Sequence, residues 1–246
     1  MMRLAYAPLF LASNLLGASV APLCEIKEPT MEATFWINSW QQGGSATSFH
    51  RRDIHPYVEH FATPEFLQGK RVLVPLCGKT NDLRWFSQYA EAVIGVELVT
   101  TAIEQFFAEQ ELDYVQPDPT TYVSGNITIL NRDVLSLTTA DVGNIDLVYD
   151  RAALVALPHE MRNQYRATID QLLPVGGQQM IITLEYAPLM ATPPFSITPT
   201  EIEFYYGERY FISHFAAPSQ PEHRMVAKFN LQFLKEHGFL ITRYQK

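Results

Sequence analysis

The chain has 246 residues, a formal net charge of −8 and a pI near 5.3, with 47% hydrophobic and 18% charged residues. That balance excludes a disordered segment and allows one large domain with a sizeable buried core. An acidic chain without a long basic run also excludes a nucleic-acid-binding surface, because neutralising phosphates takes clustered Lys and Arg.

The amino-terminal stretch MMRLAYAPLFLASNLLGASVAPLC places one arginine before a broken apolar run. Pro8 and Asn14 interrupt that run, and Pro22 follows the small residues Ser19 and Ala21 where a leader would be cut. Leu23 before Cys24 does not suit a lipoprotein signal, and the run is too interrupted to span a membrane. Residues 1–30 read either as an extension ahead of Met31 or as a signal-like segment, and 31–246 are expected to be a single cytoplasmic domain. Cys24 and Cys77 make no disulfide framework, and the seven histidines show no metal-ligand spacing. Asn126-Ile127-Thr128 is a glycosylation sequon that matters only in an exported chain.

Residues 31–60 are expected to form helical segments and loop over a sheet edge. From Arg71 onward, strands alternate with helices. Val72–Val74, Ala92–Val96, Ile127–Leu130, Ile145–Tyr149 and Gln179–Leu184 read as strands whose continuous apolar character fits burial on both faces of a parallel sheet. Between them, Asn81–Tyr89, Thr100–Glu109 and His159–Leu173 read as helices. Ile103, Phe106 and Phe107 recur at helical spacing in the second, and Met161, Tyr165, Ile169, Leu172 and Leu173 do so in the third. Pro158 and Pro174 bracket that third helix. Pro199–Tyr205 is a further helix and Gly238–Tyr244 a final strand. The βαβα order predicts an open, doubly wound α/β sheet that binds ligands beyond the carboxyl ends of its strands.

The first strand runs into Pro75-Leu76-Cys77-Gly78-Lys79, which has the outline of a nucleotide-binding loop with a single glycine. A missing side chain at Gly78 lets a ligand approach the backbone. Glu97 ends the second strand, where a carboxylate can accept both hydroxyls of a ribose. Loops that cradle a pyrophosphate need three glycines, so one glycine with a distant acid suits an adenosine ligand without phosphates, S-adenosylmethionine above all. The plainer reading of Glu97 is a surface charge. Asp133, just past the third strand, fits the adenine end of such a site or simply caps a turn. Asp150 and Arg151 end the fourth strand over the crevice, as site residues or as a structural ion pair. Cys77 reads as a small packed residue, His159 as structural, and Lys79 lacks the spacing of a P-loop lysine.

Several segments together resemble the thiopurine S-methyltransferase family, especially its bacterial members. They are FWINSWQQGGSATSFH, VPLCGKTNDLRWF, VIGVEL, AIEQFFAE, DLVYDRAALVALPHEMRNQY and PPFSIT, in the family's order. The resemblance runs from about Met31 to Pro199 and thins beyond. It implies a Rossmann-like class I methyltransferase with a doubly wound, mostly parallel seven-stranded sheet and S-adenosyl-L-methionine as donor. It further implies cofactor contacts from Trp36, Trp40, Leu76, Gly78, Glu97, Asp133, Val134 and Arg151, and an acceptor pocket that includes Phe49 and Phe195. Ser48 stands where the family usually has glycine, the loop between Trp40 and Phe49 is longer, and Thr192 replaces the glycine before Pro193-Pro194-Phe195. These departures cluster around the acceptor. The implied reaction is methyl transfer to the sulfur of small aromatic or heterocyclic thiols; a monomer is expected, and Arg151 beside its cofactor contact is expected to favour the thiolate. Halide, thiocyanate, selenium or tellurium acceptors, or cofactor binding without catalysis, stay open as alternatives. His50 is the histidine nearest this site and is read as ordering the amino-terminal cover.

Overall fold

The computed structural model describes residues 33–43, 53–151 and 153–245. The expected extension 1–30, Cys24, Phe49 and His50 lie outside the described residues. Helices α1 (Ala33–Gln42), α2 (Pro56–Phe61) and α3 (Pro64–Leu67) precede the sheet. Then come β1 (Arg71–Pro75), α4 (Asp82–Tyr89), β2 (Ala92–Glu97) and α5 (Thr100–Glu109). The hairpin β3 (Val115–Asp118) and β4 (Thr121–Ser124) leads into β5 (Ile127–Asn131) and α6 (Thr139–Val142). Next follow β6 (Leu147–Asp150), α7 (Ala153–Ala156), α8 (His159–Leu172) and β7 (Gln178–Ala187). The remaining elements are α9 (Pro199–Tyr206), β8 (Tyr210–Ala216), α10 (Arg224–Phe229) and β9 (Phe233–Arg243).

Among the described residues the sheet has nine strands in the order β3-β4-β5-β2-β1-β6-β7-β9-β8. The run from β5 to β8 is the expected seven-stranded sheet, and the β3–β4 hairpin extends it antiparallel along β5. That hairpin escapes a sequence reading because all four residues of β3 are exposed and Pro117 interrupts them. The strands β5, β2, β1, β6 and β7 are parallel, and β9 runs antiparallel between β7 and β8.

Alternation along each central strand feeds two cores. Leu73, Ile94, Val148 and Ile181 point to the side covered by α7, α8 and α9. Val72, Val74, Val93, Tyr149 and Ile182 point to the side covered by α2, α4 and α5. The predicted buried stripe of α5, Ile103, Phe106 and Phe107, is at most 1% exposed. Among the described amino-terminal residues, α2 packs over the β8 edge as expected, the rings of Tyr57 and Phe61 lying 5.6 and 4.0 Å from that of Phe215. Trp40 of α1 packs on Val99 and Ala102 at the start of α5, and Val58 of α2 enters the second core. The sequon residue Asn126 instead ties the β4–β5 turn to the end of α4, its amide donating to the carbonyls of Ser87 and Ala90. Among the described residues no helix is long and apolar enough to cross a membrane.

Candidate active site

A cavity of about 540 Å³ opens over the carboxyl ends of β1, β2 and β6, within the size range of small-molecule sites. Its walls bring together Trp36, Trp40, Leu76, Gly78, Glu97, Asp133, Val134 and Arg151, eight residues scattered over more than a hundred positions of sequence.

The loop after β1 is held tightly. The Cys77 N–H donates to the carbonyl of Val96 at 3.0 Å, so the loop is laced to β2. Leu76 and Gly78 both adopt left-handed backbone, with φ of 47° and 51°. For leucine that conformation costs about 1–2 kcal/mol, a strain that tends to persist where a site requires it. Glu97 is only 7% exposed, which removes the surface-charge reading. Its Oε2 accepts the Gly78 N–H and its Oε1 the Val99 N–H, each at 2.8 Å. Burial pushes its carboxyl above the ordinary glutamate value, while the nearby N–H groups of Val99, Gly78 and Leu98 pull the other way. A carboxylate has about four acceptor positions, so two are left for further donors from the cavity.

Gly78 is needed for a reason other than ligand access. A Cβ built there would lie 3.0 Å from Trp40 Cζ2, so the indole of α1 occupies the space that glycine vacates. We expect Gly78→Ala to lower Tm by about 2–8 °C through backbone strain alone. Displacement of Trp40 should weaken ligand binding as well, and thermal melts with calorimetric titration check both. Lys79 pairs with Glu109 at the end of α5 and also lines the cavity, its Nζ 6.0 Å from the Trp40 ring centroid. Cys77 is packed as expected: it is 5% exposed, burial pushes its thiol up, and its Sγ fills the space beside Gly95.

Asp133 caps a turn, one of its two sequence readings. Its Oδ1 accepts the Leu135 N–H at 2.9 Å and caps the 3-10 turn Val134–Ser136, and the residue also lines the cavity beside buried Val134. Asp150 departs from the expectation of an ion pair with Arg151. It is fully buried, its Oδ1 accepts the N–H groups of Ala153 and Leu154, and its Oδ2 accepts the Tyr165 hydroxyl at 2.7 Å. Burial raises its carboxyl, against these three bonds. Asp150 thus anchors α7, and Arg151, the next residue, lines the cavity.

Phe195 is not among the lining residues, although Pro193 and Pro194 are. Its ring lies 5.5 Å from the Arg162 guanidinium, whose Nε donates to the Leu157 carbonyl. His159 bonds the Tyr205 hydroxyl through Nδ1 at 3.0 Å, a packing role as read. The sequence reading missed Asp82, Tyr149 and Glu236 in the cavity wall, and took Met161 for core although it lines the site. Met161 sits at the mouth end of an otherwise buried helical stripe, so periodicity alone could not separate it from its neighbours.

An open parallel sheet with an acid ending β2 and a ligand-sized cavity over the strand ends is the architecture of S-adenosylmethionine-dependent methyltransferases. Solved structures agree on the fold. A SAM-dependent methyltransferase from Anabaena variabilis superposes with a TM-score of 0.57 at 17% identity, covering 90% of this chain and 99% of the other. A 1,6-didemethyltoxoflavin-N1-methyltransferase from Burkholderia thailandensis, solved with S-adenosylhomocysteine, matches with a TM-score of 0.57 at 14% identity over 86% and 87% of the two chains. Sequence comparison is more specific. The profile of the thiopurine S-methyltransferase (TPMT) family matches residues 31–244. A thiopurine S-methyltransferase of Vibrio vulnificus is 36% identical over 219 residues, 85% of this chain and 97% of the relative. One from Xanthomonas campestris pv. campestris is 37% identical over 188 residues, 73% and 84% of the two chains. The chain belongs to the thiopurine S-methyltransferase family.

Proposed function

We propose that the protein transfers a methyl group from S-adenosylmethionine to the sulfur of a small aromatic or heterocyclic thiol. The observation that carries this reading is Glu97, a buried carboxylate facing a ligand-sized cavity with one backbone N–H already fixed on each oxygen. Its remaining acceptor positions suit the two hydroxyls of a ribose. Asp133 and Val134 then flank the adenine, Trp36 and Trp40 close over the donor from α1, and Leu76 supports it from the β1 loop. A bound sulfonium donor supplies an already activated methyl group. The residues of this chain have to align the two sulfurs and exclude water, and alignment of this kind can lower a barrier by about 7–11 kcal/mol. Arg151 places a guanidinium in the wall, where it favours a thiolate over a thiol. Leu157, Met161 and Pro194 give that part of the wall an apolar surface against a flat ring.

The reading is tested by offering labelled donor with an aromatic thiol, iodide and selenite in parallel. Methylation of the thiol at least about tenfold faster than of either inorganic acceptor is expected, since an apolar wall contributes binding only to the ring. Preference for an inorganic acceptor would contradict it.

A further inference from the structure

We propose that Glu236, steadied by His55, takes the proton of the acceptor thiol. The inference rests on the thiol reading above and assigns a group to a step that reading leaves open.

Along the sheet, Glu97 on β2 and Glu236 on β9 are separated by β1, β6 and β7. At the usual strand spacing that is about 19 Å, so a donor whose ribose rests on Glu97 leaves the β9 end of the cavity to the acceptor. Four carboxylates belong to the described cavity wall: Asp82, Glu97, Asp133 and Glu236. Glu97 and Asp133 lie at the donor end, on β2 and after β5. Asp82 is fully buried and heavily engaged. Its Oδ1 accepts the His55 N–H at 2.8 Å, and its Oδ2 accepts the Thr80 and Tyr149 hydroxyls at 3.0 and 2.9 Å. Those bonds fasten the site and leave Asp82 little capacity for a mobile proton.

Glu236 stands at the β9 end of the wall, beside His55. Its Oε1 lies 3.1 Å from His55 Nε2, in a contact that lacks the alignment of a hydrogen bond. His55 Nδ1 accepts the Tyr57 N–H at 3.1 Å, which assigns the proton of the neutral ring to Nε2, on the side of Glu236. The Tyr57 hydroxyl donates to the Glu236 backbone carbonyl at 3.0 Å and pins the strand. Among the described residues, the groups facing Glu236 include His55 and Tyr57 at α2 and Tyr149 on β6, with Asp82, Arg151, Arg224 and Lys228 elsewhere in the wall. Burial, and then the Glu236 charge, pushes the Tyr57 phenol up to about 12. Burial, and then Asp82, push that of Tyr149 up as well. Both phenols keep their protons and neither competes as a base. His223, the histidine of the described wall, uses Nδ1 to accept the Met225 N–H and cap α10.

In the step, the thiol S–H bond breaks and its proton passes to the Glu236 carboxylate, the electron pair staying on sulfur. That pair forms the new sulfur–methyl bond as the donor's carbon–sulfur bond breaks and its electrons neutralise the sulfonium. The proton leaves Glu236 to solvent with product release.

The test is kcat for Glu236→Gln and Glu236→Asp across aromatic thiols of graded acidity. For thiols with pKa about two units above the assay pH, Glu236→Gln should lower kcat about 100-fold, and for thiols ionised at that pH the loss should shrink to about threefold. Glu236→Asp should recover part of the steep loss, and calorimetric donor affinity should hold in both. Equal loss across the series, or none, overturns the proposal, as does a steep dependence that follows His223→Gln instead. If Glu236→Gln does not fold, the slope measured with Glu236→Asp decides in its place. A wild-type enzyme active on the series with a flat Glu236 effect contradicts this inference alone, whereas a wild type inactive on every thiol contradicts the proposed function and this inference with it.

Discussion

Replacing Glu97 with Ala is expected to weaken S-adenosylmethionine binding by about 100–10,000-fold. Two hydroxyls donating to a carboxylate contribute about 1.5–3 kcal/mol each, and 1.4 kcal/mol corresponds to a factor of ten. The substitution also strands the N–H groups of Gly78 and Val99, which now share the two oxygens. The loop that carries Leu76 and Gly78 therefore loses its side-chain tie to the end of β2 and keeps only the backbone bond from Cys77 to Val96. Acidity gives an independent handle. Burial raises the Glu97 carboxyl above its usual value, and the diol needs the ionised form. Donor affinity should therefore fall as pH drops through that raised value, at a higher pH than an ordinary glutamate would dictate. The sign for stability is opposite. With its folded pKa raised, Glu97 contributes stability that is present at low pH and lost as pH rises through the folded value. In Glu97→Gln both dependences should disappear, and titration calorimetry over a pH series measures the first.

The second large effect concerns Asp150→Ala. The two α7 N–H groups and the Tyr165 hydroxyl would lose their shared acceptor inside the protein. Stranded buried donors of this kind cost about 1–3 kcal/mol each, and relief of carboxylate desolvation offsets part of the sum. A net loss of about 3 kcal/mol corresponds to a fall in Tm of about 6–12 °C for a chain of this size. Asp150→Asn should lose less, because an amide oxygen still accepts from α7. Arg151 leaves β6 directly after Asp150, so activity should fall in both variants even at temperatures where they remain folded. A Tm within about 2 °C of wild type for Asp150→Ala would contradict the anchoring role.

The central strands were legible because burial on both faces leaves a continuous apolar run, as in Val72–Val74 and Ala92–Val96, too short for a core helix and too apolar for a surface strand. The helices α5 and α8 were legible from their stripes and, for α8, from the prolines at both ends. What escaped was decided by tertiary neighbours. Strand β8 has an irregular burial pattern and is secured by β9, not by its own alternation. Of the cavity wall, Gly78 and Glu97 were readable, because they fall at fixed places just after β1 and at the end of β2. Asp82, Tyr149 and Glu236 of the same wall were not. Asp82 reads as an ordinary first-turn acid of α4, Tyr149 as one more apolar strand residue, and Glu236 sits in FLKEHGF, where nothing local marks it. Only the pairing of β9 with β7 brings Glu236 to the cavity, opposite Leu184. Gly78 carries a further lesson. The sequence asks for a glycine, but the side chain that requires it is Trp40, contributed by a helix 38 residues upstream.

The most direct measurement is a crystal structure with S-adenosylhomocysteine bound. Both ribose hydroxyls should lie within hydrogen-bond distance of the Glu97 carboxylate, with the adenine beside Asp133 and Val134 and the thioether directed toward the β7–β9 end of the cavity. A nucleoside seated away from Glu97, or a thioether directed away from β9, would contradict the arrangement.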